Sequence, residues 1–130
     1  MTAATRTATK VDHNLTGQAT YIWEGLDGDD VGSVVKLPGG YDSLTVQLGA
    51  AGGNTDGSAT TVMQGSMDAI AEVTPASAVW FTLTEKDTAS TAVSRTTSAV
   101  LKEVKEKPLF IRPSQSGGTA GYMDVIATVR

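Results

Sequence analysis

Few side chains in this 130-residue chain are of the kind that carry reactions. Serine hydrolases and imidazole metal centres both need histidine, and the sequence holds one, His13, with no adjacent nucleophile or second ligand. It is read as a surface histidine. No Gly-x-Ser-x-Gly elbow exposes a serine. There is no cysteine to serve as nucleophile, disulfide partner or thiolate ligand. The remaining Asp and Glu are scattered, and none pair up in a way that nominates glycoside hydrolysis. No catalytic residue is assigned.

Three carboxylates are close together. Asp27, Asp29 and Asp30 surround Gly28, and aspartates around a glycine turn can converge on Ca²⁺. The twelfth-position Glu of an EF-hand loop is missing, and Gly/Asp-rich sequence between two strands more often forms a solvated turn. A turn is expected, with no metal or cofactor. The run Ala50-Ala51-Gly52-Gly53-Asn54-Thr55-Asp56-Gly57 lacks the Gly-Lys-Ser/Thr ending of a phosphate cradle and reads as a hairpin loop.

The aromatic residues Tyr21, Trp23, Tyr41, Trp80, Phe81 and Tyr122 offer either a sugar-stacking platform or core and interface packing, and packing is the commoner use. Trp23 is taken as a candidate partner contact. Arg112 lies between Ile111 and Pro113, where a stiff extended backbone can aim its guanidinium at a partner's carboxylate or carbonyl. Arg112 and Pro113 are therefore further contact candidates. Prolines 108 and 113 both lack a ladder donor, which predicts a sheet edge or a bend.

The elements that must position these groups are strands. Leu44-Thr45-Val46-Gln47-Leu48 alternates apolar and polar residues, the signature of a strand with one face on a core. Similar segments run over 19–24, 33–37, 59–64, 79–84, 98–101, 109–112 and 122–129, separated by Gly, Asp, Asn and Pro turns. About eight short strands predict an all-β, antiparallel β-sandwich or jelly roll over residues 13–130. Residues 69–78 contain Pro75 and read as a loop or single helical turn. Residues 100–107 read as a strand followed by a turn. Residues 1–12 are Thr/Ala-rich and lack large apolar side chains, so they read as a flexible N-terminal arm. Thr5 and Arg6 in that arm are contact candidates through which it would fold onto a neighbour.

Charged residues make up 18% and the net charge is −4, so no positive field attracts nucleic acid, and the low charge content suits assembly. No apolar run is long enough to span a bilayer, and no signal-peptide core is present, so a soluble chain made in the cytoplasm is expected, without a membrane partner.

In order, LTVQL (44–48), ATTVMQGSMD (59–68), VWFTLT (79–84) and KPLFIRPSQSGG (107–118) resemble small virion structural proteins of tailed bacteriophages, the capsid decoration or cement proteins. The shared pieces are a strand ending in Gln-Gly-Ser-x-Asp, a Trp opening an alternating strand, Pro-x-x-Ile-Arg-Pro, a Gly-Gly turn and a final strand. They span residues 44–129. The resemblance implies a sandwich that contacts the major capsid protein or another virion protein through loops and termini. It also implies a dimer or trimer on the virion surface and no catalytic residue. A tail or tail-fibre protein and a carbohydrate-binding or adhesive sandwich are the alternatives. A jelly-roll enzyme is disfavoured, because cupin-like metal sites need several histidines.

Overall fold

Alternating side chains build two sheets that share one interior. The computed structural model describes residues 5–12, 18–49, 60–87, 91–95, 99–117 and 123–130. Its strands, in chain order, are β1 (Thr5–Arg6), β2 (Ala8–Asp12), β3 (Ala19–Leu26), β4 (Val31–Gly32), β5 (Val35–Lys36) and β6 (Leu44–Leu48). They continue as β7 (Thr60–Ser66), β8 (Phe81–Thr82), β9 (Ser94–Arg95), β10 (Val100–Glu103), β11 (Phe110–Ser116) and β12 (Met123–Val129). One sheet has the order β10-β6-β12-β3-β2 and is antiparallel throughout. The other runs β1-β4-β11-β7-β8, with β5 also on β11 and β9 also on β7. Its β1–β4 pair is parallel. The chain is a β-sandwich, as the alternation implies.

More strands are described than the eight expected, because several are two-residue pieces. The segment expected over 33–37 keeps only β5, with β4 a separate piece just before it, and 79–84 keeps only Phe81–Thr82 as a ladder, extended by a bridge from Thr84 to Ala92. Strand β6 has the bounds expected for it, with Leu44, Val46 and Leu48 buried. Residues 69–78 form turns and a short 3-10 helix at Pro75–Ser77, and 100–107 form a strand and then a turn.

Two expectations are corrected. Part of the N-terminal segment is not an arm: Ala8–Asp12 pairs with Ala19–Trp23, and Thr5–Arg6 pairs with Val31–Gly32. Backbone pairing with a neighbouring strand does not require large side chains in the segment itself, which is why composition misled there. Of the edge or bend expected from the prolines, the edge is also excluded, since β7 flanks β11 on one side and β4 and β5 on the other.

The geometry around Pro113 explains how a central strand tolerates it. Pro113 pairs with Met63, whose N–H and C=O are taken by Val93 and Leu83 on the far side. The Pro113 nitrogen therefore faces away from β7, toward the interruption between β4 and β5. There the span Ile111–Ser114 is matched by the longer span Val31–Val35, a bulge that asks no hydrogen bond of the proline.

Trp23, Leu26, Val46, Leu48, Met63, Ile111 and Val125 are among the fully buried side chains between the sheets. Each such side chain contributes roughly 1.5–3 kcal/mol of burial free energy. Gly32 joins the layers: a Cβ there would stand 2.4 Å from Pro113 Cδ and 2.6 Å from Trp23 Cδ1, so only glycine allows this approach. A second glycine, Gly25, takes φ +72° where β3 bulges against β12, and donates its N–H to Asp124 Oδ1 at 3.0 Å.

Candidate interaction surface

The most unusual surface lies between β7 and β8. Residues 67–80 leave the sheet through Ser66, whose Oγ accepts the Asp68 N–H at 3.0 Å. The Asp68 carboxylate then accepts the N–H groups of Ile70 (3.3 Å) and Val79 (3.4 Å), holding the two ends of the loop together. Inside it, Ala71 N–H reaches Asp68 O at 3.0 Å, Thr74 N–H reaches Ile70 O at 2.8 Å, and Ser77 N–H reaches Thr74 O at 3.0 Å. The Trp80 indole N–H donates to Pro75 O at 2.9 Å. Hydrogen bonding from within thus gives the loop a defined shape.

On this frame the apolar side chains point outward. Val73 is 82% exposed, Phe81 66% and Met67 64%, with Ile70, Val79 and Leu109 also exposed. Scattered single apolar residues on a surface need no explanation, but this concentration within one loop and its flanks makes it the candidate interaction surface. Met67 and Phe81 also line a cavity of about 390 Å³ with Leu83 and Pro108 at the end of the sandwich. Gly65 forms its floor, where a Cβ would meet Leu83 Cδ2 at 2.6 Å and Pro108 Cβ at 2.9 Å. Sequence reading missed this surface. The available signal was apolar residues in a segment already assigned to a loop.

Beside the loop, on the outer face of the seven-stranded sheet, Arg112 lies over Trp80, its guanidinium carbon 4.2 Å from the ring centroid. Its Nε–H donates to Gln64 Oε1 at 2.8 Å, across the β7–β11 ladder. The stack and the bond together fix the plane of the guanidinium. Partial burial lowers the Arg112 pKa from its ordinary value, yet an arginine remains charged. Phe110, on the same outer face, is buried although it stands outside the main core cluster, so this face is covered locally rather than bare.

The structure separates the contact candidates. Trp23 is fully buried and donates its indole N–H to Ser33 O at 3.0 Å, so as a partner contact it is corrected: it is core, packed against Gly32. Pro113 is corrected likewise, since its ring is buried against Gly32. Arg112 alone of these three reaches the surface. Thr5 and Arg6 contribute backbone to β1 on the same sheet. His13, Tyr122 and the run 50–57 lie outside the described residues.

Two aspartates of the 27–30 turn bond the backbone through their side chains. Asp30 Oδ2 accepts the Asp27 N–H at 2.9 Å and Asp29 Oδ1 accepts the Gly117 N–H at 3.0 Å. Among the described residues no three His, Cys, Asp or Glu side chains gather to hold a metal ion. Aromatic use divides as well: Tyr21 and Trp23 are core, Phe81 is exposed, and Tyr41 donates its hydroxyl to Pro108 O at 2.7 Å. Burial pushes the Tyr41 pKa up to about 12.

A different corner is polar and internally paired. Lys102 bridges to Glu85 at 2.6 Å, Lys86 bridges to Glu103 at 2.8 Å, and Glu106 accepts both the N–H and the hydroxyl of Thr84. Burial raises the Glu106 pKa, but the Thr84 bonds, a bond to its own backbone and the charge of Lys105 together outweigh it and the net shift is downward. These contacts join the segment after β8 to the segment at β10, across the two sheets.

The chain matches no protein-family model, no curated protein and no solved structure. Among the described residues no helix is long and apolar enough to cross a membrane.

Proposed function

We propose that this chain is a structural binding protein of a tailed-phage virion, a decoration or cement protein that attaches to the head through the surface formed by residues 67–81. The observation that carries this reading is the hydrogen-bonded loop presenting Met67, Ile70, Val73 and Val79 to solvent beside Phe81. A preformed apolar surface binds without first losing loop entropy, and many identical weak contacts on a shell sum to stable attachment. The phage assignment itself rests on the sequence resemblance. Attachment requires no reaction, and the chain is proposed to be non-enzymatic and to act as a dimer or trimer on the major capsid protein.

Co-sedimentation tests the proposal. Purified chain is mixed with heads assembled from the major capsid protein of the same genome, and separately with tails. The expected result is saturable pelleting with heads and a higher temperature of head disruption. Pelleting with tails alone supports the tail-protein alternative. Absence of binding to both, with retention on an immobilised glycan, supports the adhesive module.

A further inference from the structure

Strand β8 ends its sheet. Its ladder pairs are Phe81 with Gly65 and Thr82 with Gln64, both on β7, and among the described residues no strand lies along its other side. Leu83 N–H donates to Met63 O at 2.9 Å, so in this antiparallel pairing the bonds toward β7 fall at Leu83 and, two residues back, at Phe81. The N–H and C=O of Thr82, between them, therefore face the open side. Among the described residues neither group is taken by a hydrogen bond, and Phe81 and Thr82 are both exposed.

Two residues further along, the same side is filled. Lys105 N–H donates to Thr84 O and Lys86 N–H to Glu103 O, both at 2.9 Å, and the Glu106 carboxylate accepts the Thr84 N–H at 2.8 Å. Beyond that point the two segments part, and the cavity of about 390 Å³ is lined by Phe81 and Leu83 from one and by Lys107 and Pro108 from the other. Phe81 and Leu83 lie on the sheet face that Gly65 shares, and Thr82 on the opposite face. The open backbone groups and the cavity thus belong to one interrupted ladder. The two charged residues of the lining, Glu106 and Lys107, are of opposite sign, so the cavity favours an uncharged occupant; Met67, Phe81, Leu83 and Pro108 make it apolar.

We propose that an extended segment of the head protein adds to the open side of β8, bonding the Thr82 N–H and C=O through its own backbone, and that an uncharged apolar residue next to the bonded one fills the cavity. Addition of a strand to a sheet edge takes its affinity from main-chain bonds and its specificity from a pocket for alternate side chains. The register supplies that alternation: a residue paired with Thr82 shares its outer face, and the residue before or after it points to the face of Phe81 and Leu83. The inference rests on the attachment reading above and names the form and chemistry of what is attached.

The test is an NMR titration of ¹⁵N-labelled full-length chain with a soluble peptide that alternates Thr and Leu between terminal lysines. One control is N-methylated on its Thr residues, which removes the donors that would meet Thr82; a second is N-methylated on its Leu residues, which leaves them; a third has Ser for Leu. The parent and Leu-methylated peptides are expected to move the Thr82 amide signal and slow its hydrogen exchange, and the other two to leave it in place. Thr82→Pro removes an N–H that β7 does not use and is expected to weaken peptide binding about fivefold, the worth of one net hydrogen bond. Phe81→Ser is expected to weaken it about tenfold through lost apolar contact. The methylated peptides read the same bond on the unaltered chain, whatever Thr82→Pro does to folding.

A Thr82 signal that stays still with the parent peptide, or that moves equally with the two methylated peptides, overturns the inference. So does a signal that shifts only with protein concentration, which assigns the edge to a second copy. Head pelleting with no slowing of exchange at Thr82 removes this inference and leaves the attachment reading standing. A peptide response in a chain that pellets with no head overturns the attachment reading and keeps the strand-addition chemistry of the site.

Discussion

The two tryptophans stand in opposite regions of one sandwich. Trp23 is sealed between the sheets, against Gly32, and its indole N–H is satisfied by Ser33 O. Trp80 lies half-buried on the outer face, with its indole N–H on Pro75 O and Arg112 across its ring. Both satisfy their one polar group, yet the first joins layers and the second displays a cation. The same residue type therefore joins the sheets in one region and props a surface arginine in the other, and the fold decides which.

The sharpest way to break this comparison is truncation. Trp23→Ala is expected to cost about 3–5 kcal/mol of stability, near the whole margin of a small domain. Trp80→Ala is expected to cost about 1–2 kcal/mol, because its ring is only partly buried. Denaturant titration of both variants gives the values, and equal losses would erase the distinction. Next in size is Gly32→Ala, whose methyl meets both Pro113 and Trp23. It is expected to lose about 1–3 kcal/mol by overpacking, against near neutrality for Gly39→Ala, where a Cβ has open space.

A smaller effect depends on pH. The folded-state Tyr41 pKa, about 12, lies above its ordinary value, so the folded chain holds that proton more tightly. Its contribution is complete below pH 10 and declines as pH rises from about 10 to 12. The difference in melting temperature between the wild type and Tyr41→Phe is expected to change over that interval. Glu106 has the opposite sign: with its pKa lowered, its contribution is present above the ordinary carboxylate range and is lost as pH falls through the folded-state value. Least of all in stability is the combined change Met67→Ser, Val73→Ser and Phe81→Ser. Each is expected to shift unfolding by no more than about 0.5 kcal/mol, while the set abolishes head pelleting.

Much of the fold was legible because period-two alternation records burial directly. Leu44–Leu48 shows it from end to end, and Val125, Ala127 and Val129 repeat it in β12. Two sequence fragments that carried the resemblance also turn out to be partners: Gln64, Gly65 and Ser66 pair in register with Arg112, Ile111 and Phe110. Their residues perform packing and bonding tasks that only this pairing reveals. Central placement of Pro113 was not legible, since it depends on a bulge in β4 and β5, strands remote in sequence. Nor was the burial of Trp23 distinguishable from the partial exposure of Trp80, because alternation says that a face exists and not what covers it. The interaction surface was the least legible, as its apolar residues follow no strand or helix period and acquire their outward direction from Asp68 and the turns around it.

The most direct measurement is a hydrogen-exchange footprint of the chain on heads, compared with the unbound chain. Attachment through the Trp80 region predicts new protection concentrated in residues 67–81 and the neighbouring part of β11, with little change around Trp23, which is already buried. Protection confined to the 27–30 turn or to the β2 edge, with 67–81 exchanging as before, would contradict the account.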